Sequence, residues 1–146
     1  MFSPVSFKDI AVKLPRLQQH AIVDSAALIR TSVSRFYYSA FLEGREVLLR
    51  ELNVRRREKM YLMRAISHVL VRETFLRTNR YANLGNLLLT LSELRKNADY
   101  TLNIVFGWTE YNLAKKHASL ILSELKSVHG SEELDNAYLS ILSEMT

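Results

Sequence analysis

The segment DSAALIRTSVSRFYYSAFLEGREVLL, residues 24–49, repeats its apolar side chains at helical spacing. Stepped at about 100° per residue, Ala26, Ile29, Val33, Phe36, Tyr37, Ala40, Phe41, Val47 and Leu48 fall within roughly 70° of one line. Asp24 precedes the run as its predicted N-cap, because a carboxylate there accepts from the first free backbone N–H groups. Arg35, Glu46 and Arg50 point to the other side. Gly44 lies on the apolar line, where glycine costs about 1 kcal/mol of helix stability relative to alanine. The simplest reason for it is a second helix approaching closely at that point.

The rest of the chain follows suit. There are 146 residues with only 4 Gly and 2 Pro, and both prolines (Pro4, Pro15) stand in the first fifteen positions. So few breakers predict long helices, and no strand-like alternation is found. A short opening helix is predicted over 6–14, with Ser6 and Asp9 resembling a capping box. A basic helix is predicted over 55–79, a loop over 79–83, and a helix from about Asn83 to Phe106. Gly107, Trp108 and Thr109 read as a turn, with Thr109 capping a helix from Glu110 to about Val128. Leu113, Ala114, Ala118, Ile121, Leu122 and Leu125 face inward on that helix. Gly130 is read as its C-cap. Ser131 opens a short acidic C-terminal helix or tail over 131–146, whose first-turn acids suit the helix dipole. The expected architecture is a single all-α domain, an antiparallel helical bundle of four to five main helices.

Composition removes several classes of function. There is no cysteine, so disulfide scaffolds, thiol nucleophiles and Cys-ligated metals are excluded. No apolar run is long enough to span a bilayer, and the first residues lack the pattern of a secretory signal, so a cytoplasmic protein is expected. The net charge is +5. Residues 50–80 hold nine basic side chains against three acidic ones, which accounts for all of the excess. Arg55, Arg56, Arg57, Lys59, Arg64 and Arg72 in this segment are candidate RNA-phosphate ligands, acting through non-specific and salt-dependent charge. A solvated basic helix explains the same residues equally well.

One charge is out of place. With Leu84 set at zero, Leu87, Leu88, Leu91, Leu94, Ala98 and Leu102 form a stripe centred at about 340°. Arg95 falls at about 20°, inside the stripe, Asp99 at about 60°, on its edge, and Tyr100 at about 160°. On a straight helix Arg95 and Tyr100 are therefore not expected to share a site. A guanidinium inside an apolar stripe needs a partner, because an unpaired buried charge is costly. An i,i+4 pair with Asp99 contributes only a few tenths of a kcal/mol. Two readings stay open: a structural Arg95–Asp99 ion pair, or an arginine that meets a phosphate.

The stretches SVSRFYYSAFLEGREVLL (Ser32–Leu49) and LRKNADYTLN (Leu94–Asn103) resemble the two signatures of the HEPN family. In that family one helix carries an S-R-x-Y-Y-x-A-like run. A later helix carries R-x-x-A-D-Y or, in nuclease members, R-x4–6-H. NLAKKHASLILSEL (Asn112–Leu125) is similar to the family's last bundle helix, and the resemblance spans roughly residues 7–128. It implies an all-α bundle, usually a homodimer, in prokaryotic toxin–antitoxin or antiviral defence modules, often encoded beside a minimal nucleotidyltransferase. It also implies a metal-independent ribonuclease activity in members whose arginine steadies the scissile phosphate and whose histidine handles protons. By position, Arg95, Asp99 and Tyr100 complete the later motif, and Ser34, Tyr37 and Tyr38 match the earlier one. The chain departs from the nuclease form in having no histidine four to six residues after Arg95. Tyr100 stands there instead, and a phenol with a pKa near 10 is a poor base at neutral pH.

His68 is the candidate replacement. It lies four residues from both Arg64 and Arg72, which would lower its pKa and leave a neutral base near pH 7. A histidine at the surface or the core edge is the competing reading. His20, His117 and His129 stand alone, so no metal and no cofactor are expected. Tyr37 and Phe41 are read as core, and Tyr38 as an edge residue. The expected function is a HEPN-like component of a defence or toxin–antitoxin module that binds RNA or nucleotide, with ribonuclease activity as an open question. Arg95, His68, Tyr100 and Asp99 are its candidate catalytic residues. The alternative is a non-catalytic interaction module in which Arg95–Asp99 is structural.

Overall fold

A computed structural model describes residues 3–16 and 25–146. Asp24 and His20 lie outside the described residues. The protein is all-α, with no strand among the described residues. Its helices there are α1 (Val5–Lys13), α2 (Ser25–Glu51), α3 (Arg56–Lys59), α4 (Ser67–Leu76), α5 (Ala82–Tyr100), α6 (Trp108–Leu125) and α7 (Glu132–Met145), with a 3₁₀ turn at Met60–Met63.

The 27-residue α2 is the axis of the fold, packing on α1, α4, α5 and α6. Its predicted face is buried from Ile29 to Leu48, while Ala26 in the first turn is exposed. Phe36 alone, with no accessible surface, contributes about 1.5–3 kcal/mol of burial. Gly44 meets the expected neighbour: a Cβ there would stand 3.0 Å from Cγ1 of Val71 on α4. Gly85 on α5 does the same against the end of α4, where a Cβ would sit 2.6 Å from the backbone N of Leu76. One contiguous core runs from Ala11 on α1 to Leu142 on α7.

Several boundaries differ from expectation. The predicted helix over 55–79 is three pieces, because Arg64 adopts an extended conformation between the 3₁₀ turn and α4. The break lets Leu62 on one side and Leu70, Val71 and Phe75 on the other reach the same core. α5 stops at Tyr100 and not at Phe106. Arg30 of α2 meets its end, the guanidinium donating to Asn97 O and Ala98 O in the last turn and to Thr101 O and Ile104 O beyond it, at 2.7–3.1 Å. Gly107, not Thr109, is the N-cap of α6, and its N–H donates to the Glu110 carboxylate at 2.8 Å. Leu113 is exposed on α6, whereas Ala114, Ala118, Ile121 and Leu125 are buried.

Gly130 does not close α6, whose C-cap is Lys126; it packs against the Glu51 carbonyl in the connection to α7. Ser6 does not cap α1, whose N-cap is Pro4. Ser131 does cap α7, its hydroxyl accepting from Leu134 N–H at 3.1 Å. That helix is no tail. It packs on α4 through Leu134, Ala137, Tyr138, Ile141 and Leu142, and Arg77 clamps its end to Glu144 through two bonds of 2.8 and 2.7 Å.

Candidate functional site

Three helices bring the unusual side chains together. α2 supplies Tyr37, Tyr38, Phe41 and Arg45, which step along its core face and edge at i, i+1, i+4 and i+8. α4 supplies His68 and Arg72, one turn apart on its side toward α2. α5 supplies Ser92, Arg95, Asp99 and Tyr100.

His68 is the centre. Its ring stacks on Phe41 with centroids 3.8 Å apart and stands edge-on to Tyr38 at 6.0 Å. Its Nδ1 is 2.7 Å from the Tyr37 hydroxyl, which leaves Nε2 as the nitrogen not engaged by that contact. Burial lowers the pKa of the imidazole, and Arg95, Arg45 and Arg72 lower it further, so the ring is neutral at pH 7. Burial pushes the Tyr37 phenol up, against the pull of Arg95, Arg72 and a hydrogen bond from Ser92. Tyr37 is thus a protonated phenol wired to the imidazole.

Arg95 lies where the helical wheel puts it, with 13% of its side chain exposed. Its guanidinium carbon is 5.1 Å from the centroid of Tyr37 and 5.8 Å from that of Tyr38, cation–π distances on two faces. Asp99 answers it weakly, with one contact at 3.5 Å. Burial works against the Arg95 charge, but Tyr38, Tyr37 and Asp99 outweigh it and the pKa moves up. Tyr100 is closer than the wheel implies: its ring is 6.0 Å from the Arg95 guanidinium carbon. It is the last residue of α5, and side chains lean toward the helix N-terminus, so a long ring there reaches back over the preceding turn. Tyr100 remains 74% exposed.

The other predicted residues divide. Arg72 belongs to the His68 cluster and is largely covered. Arg55, Arg56 and Arg57 are exposed at the start of α3, Lys59 donates to Leu49 O at 3.0 Å, and Arg64 lies over the Tyr61 ring at 4.5 Å. The six candidate RNA ligands therefore do not form one surface patch with Arg95. Ser34 lies beside the cluster, lining a cleft with Arg30, Arg35, Asp99 and Tyr100. His117 and His129 stay apart from it, and among the described residues no three metal-ligating side chains come together.

Sequence reasoning missed Arg45 and Ser92. Arg45 had a usable signal: it follows Tyr37 by two turns and Phe41 by one, at the edge of the α2 apolar face. Ser92 had none, since a serine just outside an apolar stripe, at about 80° on the same wheel, is unremarkable until its partner is known.

Among the described residues no helix is long and apolar enough to cross a membrane. No family model matches the chain, and no solved structure matches it. Over 122 residues it is 30% identical to uncharacterized protein MJ0992 of Methanocaldococcus jannaschii, an alignment that covers 75% of this chain and 67% of that protein. The chain belongs to the family of this archaeal protein.

Proposed function

We propose that the protein is a HEPN-like helical protein that binds RNA or nucleotide phosphate at Arg95 and cleaves RNA without a metal ion, with His68 as its proton-transfer group. The observation that carries the reading is an imidazole, His68, held by Tyr37 and Phe41, the two rings over which Arg95 and Arg45 lie, with its pKa lowered by burial and by Arg95, Arg45 and Arg72. A cation set and a neutral base are the two things that phosphodiester transesterification asks of a protein. The motif order on α2 and α5, and the bundle of helices around them, support the family resemblance.

The steps balance on this chain's own groups. With Nδ1–H donated to the Tyr37 oxygen, the lone pair of Nε2 is free and takes the proton of the ribose 2′-hydroxyl. The 2′-oxygen bonds to phosphorus, and the bond from phosphorus to the 5′-oxygen breaks. The leaving oxygen receives a proton from His68 Nε2, which regenerates the base. Arg95 stabilises the charge that builds on the phosphoryl oxygens. Tyr100, exposed beside Arg95, contacts the substrate and is not the base. The HEPN resemblance adds a homodimer and a minimal nucleotidyltransferase partner in a toxin–antitoxin or defence module.

A second reading is favoured by one observation. Leu102, Ile104, Val105 and Trp108, between α5 and the start of α6, are exposed apolar residues, with Val105 at 89%. Such a patch suits a non-catalytic interaction module. The test is RNA incubated in EDTA with the wild type, Arg95→Ala and His68→Gln. Cleavage by the wild type alone, giving 2′,3′-cyclic phosphate ends, supports the ribonuclease. No cleavage by any of the three, with partner binding or dimerisation lost on Val105→Asp, supports the interaction module.

A further inference from the structure

We propose that Arg45, Arg72 and Arg95 together form a cradle for a phosphate dianion, the terminal monoester of a nucleotide or of an oligonucleotide end. The proposal rests on the reading of Arg95 as a phosphate ligand and names the group that the site prefers.

The donors are unspent. The Nε atom of each of the three arginines is buried and has no hydrogen-bond partner within the protein. The neighbouring acids do not saturate them: Glu46 reaches Arg45 at 3.9 Å, Glu73 reaches Arg72 at 3.6 Å and Asp99 reaches Arg95 at 3.5 Å, each through one terminal nitrogen. Charge-assisted bonds between guanidinium and carboxylate run at about 2.7–2.9 Å. This fold does build such a pair, Arg77 with Glu144, through two bonds of 2.8 and 2.7 Å. At the His68 cluster it does not.

The three groups share one place. Arg45 lies over the Phe41 ring that stacks on His68, Arg95 lies over the Tyr37 ring whose hydroxyl meets His68 Nδ1, and Arg72 stands one turn after His68 on α4. Their side chains keep 13–23% exposure, so none of the three is sealed in the core. A phosphate seated at the tips meets terminal nitrogens first. Rotation about Cδ–Nε then swings Nε–H and one NH2 side-on, the fork that matches two phosphate oxygens. Three forks offer six donors, which suits a dianion with three free oxygens. A diester offers one charge and two free oxygens, and leaves part of the cradle unmatched. Aromatic walls at Tyr37, Tyr38 and Phe41 exclude water from one side and strengthen the attraction.

The test uses 2′-deoxy oligonucleotides, which cannot undergo 2′-hydroxyl attack, so binding is read apart from cleavage. Fluorescence anisotropy at fixed salt compares one oligomer carrying a 5′-phosphate, a 3′-phosphate or hydroxyls at both ends, with 5′-AMP as competitor. At least one phosphorylated end is expected to bind tenfold or more tightly than the hydroxyl twin. Competition by 5′-AMP at equal affinity assigns the preference to the nucleotide, and a preference for the oligomer assigns it to the strand end; either supports the cradle. Arg45→Lys keeps the charge but not the fork, and is expected to lose most of the preference at an unchanged melting temperature. Equal binding of phosphorylated and hydroxyl twins overturns the cradle, as does a preference that survives both Arg45→Lys and Arg45→Ala. Neither result touches the cleavage assay. Absent cleavage with intact end preference sinks the ribonuclease reading alone.

Discussion

The Tyr37 hydroxyl lies 2.7 Å from Nδ1 of His68 and joins α2 to α4 at the point where Arg95 of α5 arrives. The contact holds the imidazole in its plane against Phe41 and engages Nδ1, not Nε2. Tyr37→Phe keeps the ring and removes the bond. Leaving a partly buried nitrogen unpaired costs about 1–2 kcal/mol. Denaturant unfolding is expected to show that loss. If His68 transfers protons, the cleavage assay is expected to show a lower kcat at nearly unchanged KM, the mark of a positioning residue.

The same imidazole makes stability depend on pH. Its folded pKa is lowered by burial first, then by Arg95, Arg45 and Arg72, below the ordinary value of 6.5. The unfolded chain therefore binds the proton at a higher pH than the native one. Stability is full above pH 6.5 and falls as the pH drops through the folded pKa. Unfolding free energies between pH 8 and 5 are expected to decline, and His68→Gln is expected to flatten that decline. An unchanged slope in the variant would assign the acid limb to other groups.

Arg30 gives a larger structural effect. One guanidinium donates to four carbonyls in the last turn of α5 and the segment just after it, where a helix runs out of intrahelical donors. Its charge also complements the negative end of the helix dipole. Arg30→Ala is expected to cost about 2 kcal/mol, a fall in Tm of about 4–8 °C. Hydrogen exchange is expected to quicken most at 97–106. Arg30→Lys cannot reproduce four bonds with one ammonium and is expected to rescue little.

These residues mark what was legible in the sequence. The α2 face, the closeness at Gly44 and the anomaly of Arg95 follow from one number, the helical repeat, applied within a single element. His68 was named from its local arginines, but Arg64 points elsewhere, and the cations that act on it include Arg45 and Arg95 from other helices. The end of α5 was misplaced because its cap, Arg30, stands 67 residues or more before the carbonyls it takes. The basic segment broke at Arg64 for a tertiary reason, the need to bury Leu62 and the α4 face in one core. Tyr100 approached Arg95 because a terminal side chain leans backward, which a flat wheel omits.

Two glycines on facing helices are expected to respond differently to alanine. At Gly85 a Cβ would strike the Leu76 backbone, with N at 2.6 Å and Cα at 2.9 Å, and backbone cannot step aside. Gly85→Ala is expected to destabilise by about 1–3 kcal/mol. At Gly44 the obstacle is one Val71 methyl at 3.0 Å, which can shift, and alanine returns about 1 kcal/mol of helix propensity. Gly44→Ala is expected to lie near neutral, and chemical denaturation of the pair separates the cases.

Salt dependence distinguishes the two sets of arginines. For single-stranded nucleic acid, the slope of log affinity against log salt changes by about 0.7 for each phosphate contact removed. Arg95→Ala and Arg45→Ala are expected to reduce the slope by about that amount each and also to remove any preference for a phosphorylated end. Arg56→Ala, exposed at the start of α3, is expected to weaken binding alike for phosphorylated and hydroxyl ends if RNA passes over that surface. If it changes neither affinity nor slope, the basic segment is a solvated face and the nucleic-acid site is confined to the cluster around His68. If Arg95→Ala leaves the slope intact while the protein stays folded, Arg95 touches no phosphate, and its contact with Asp99 is the structural ion pair.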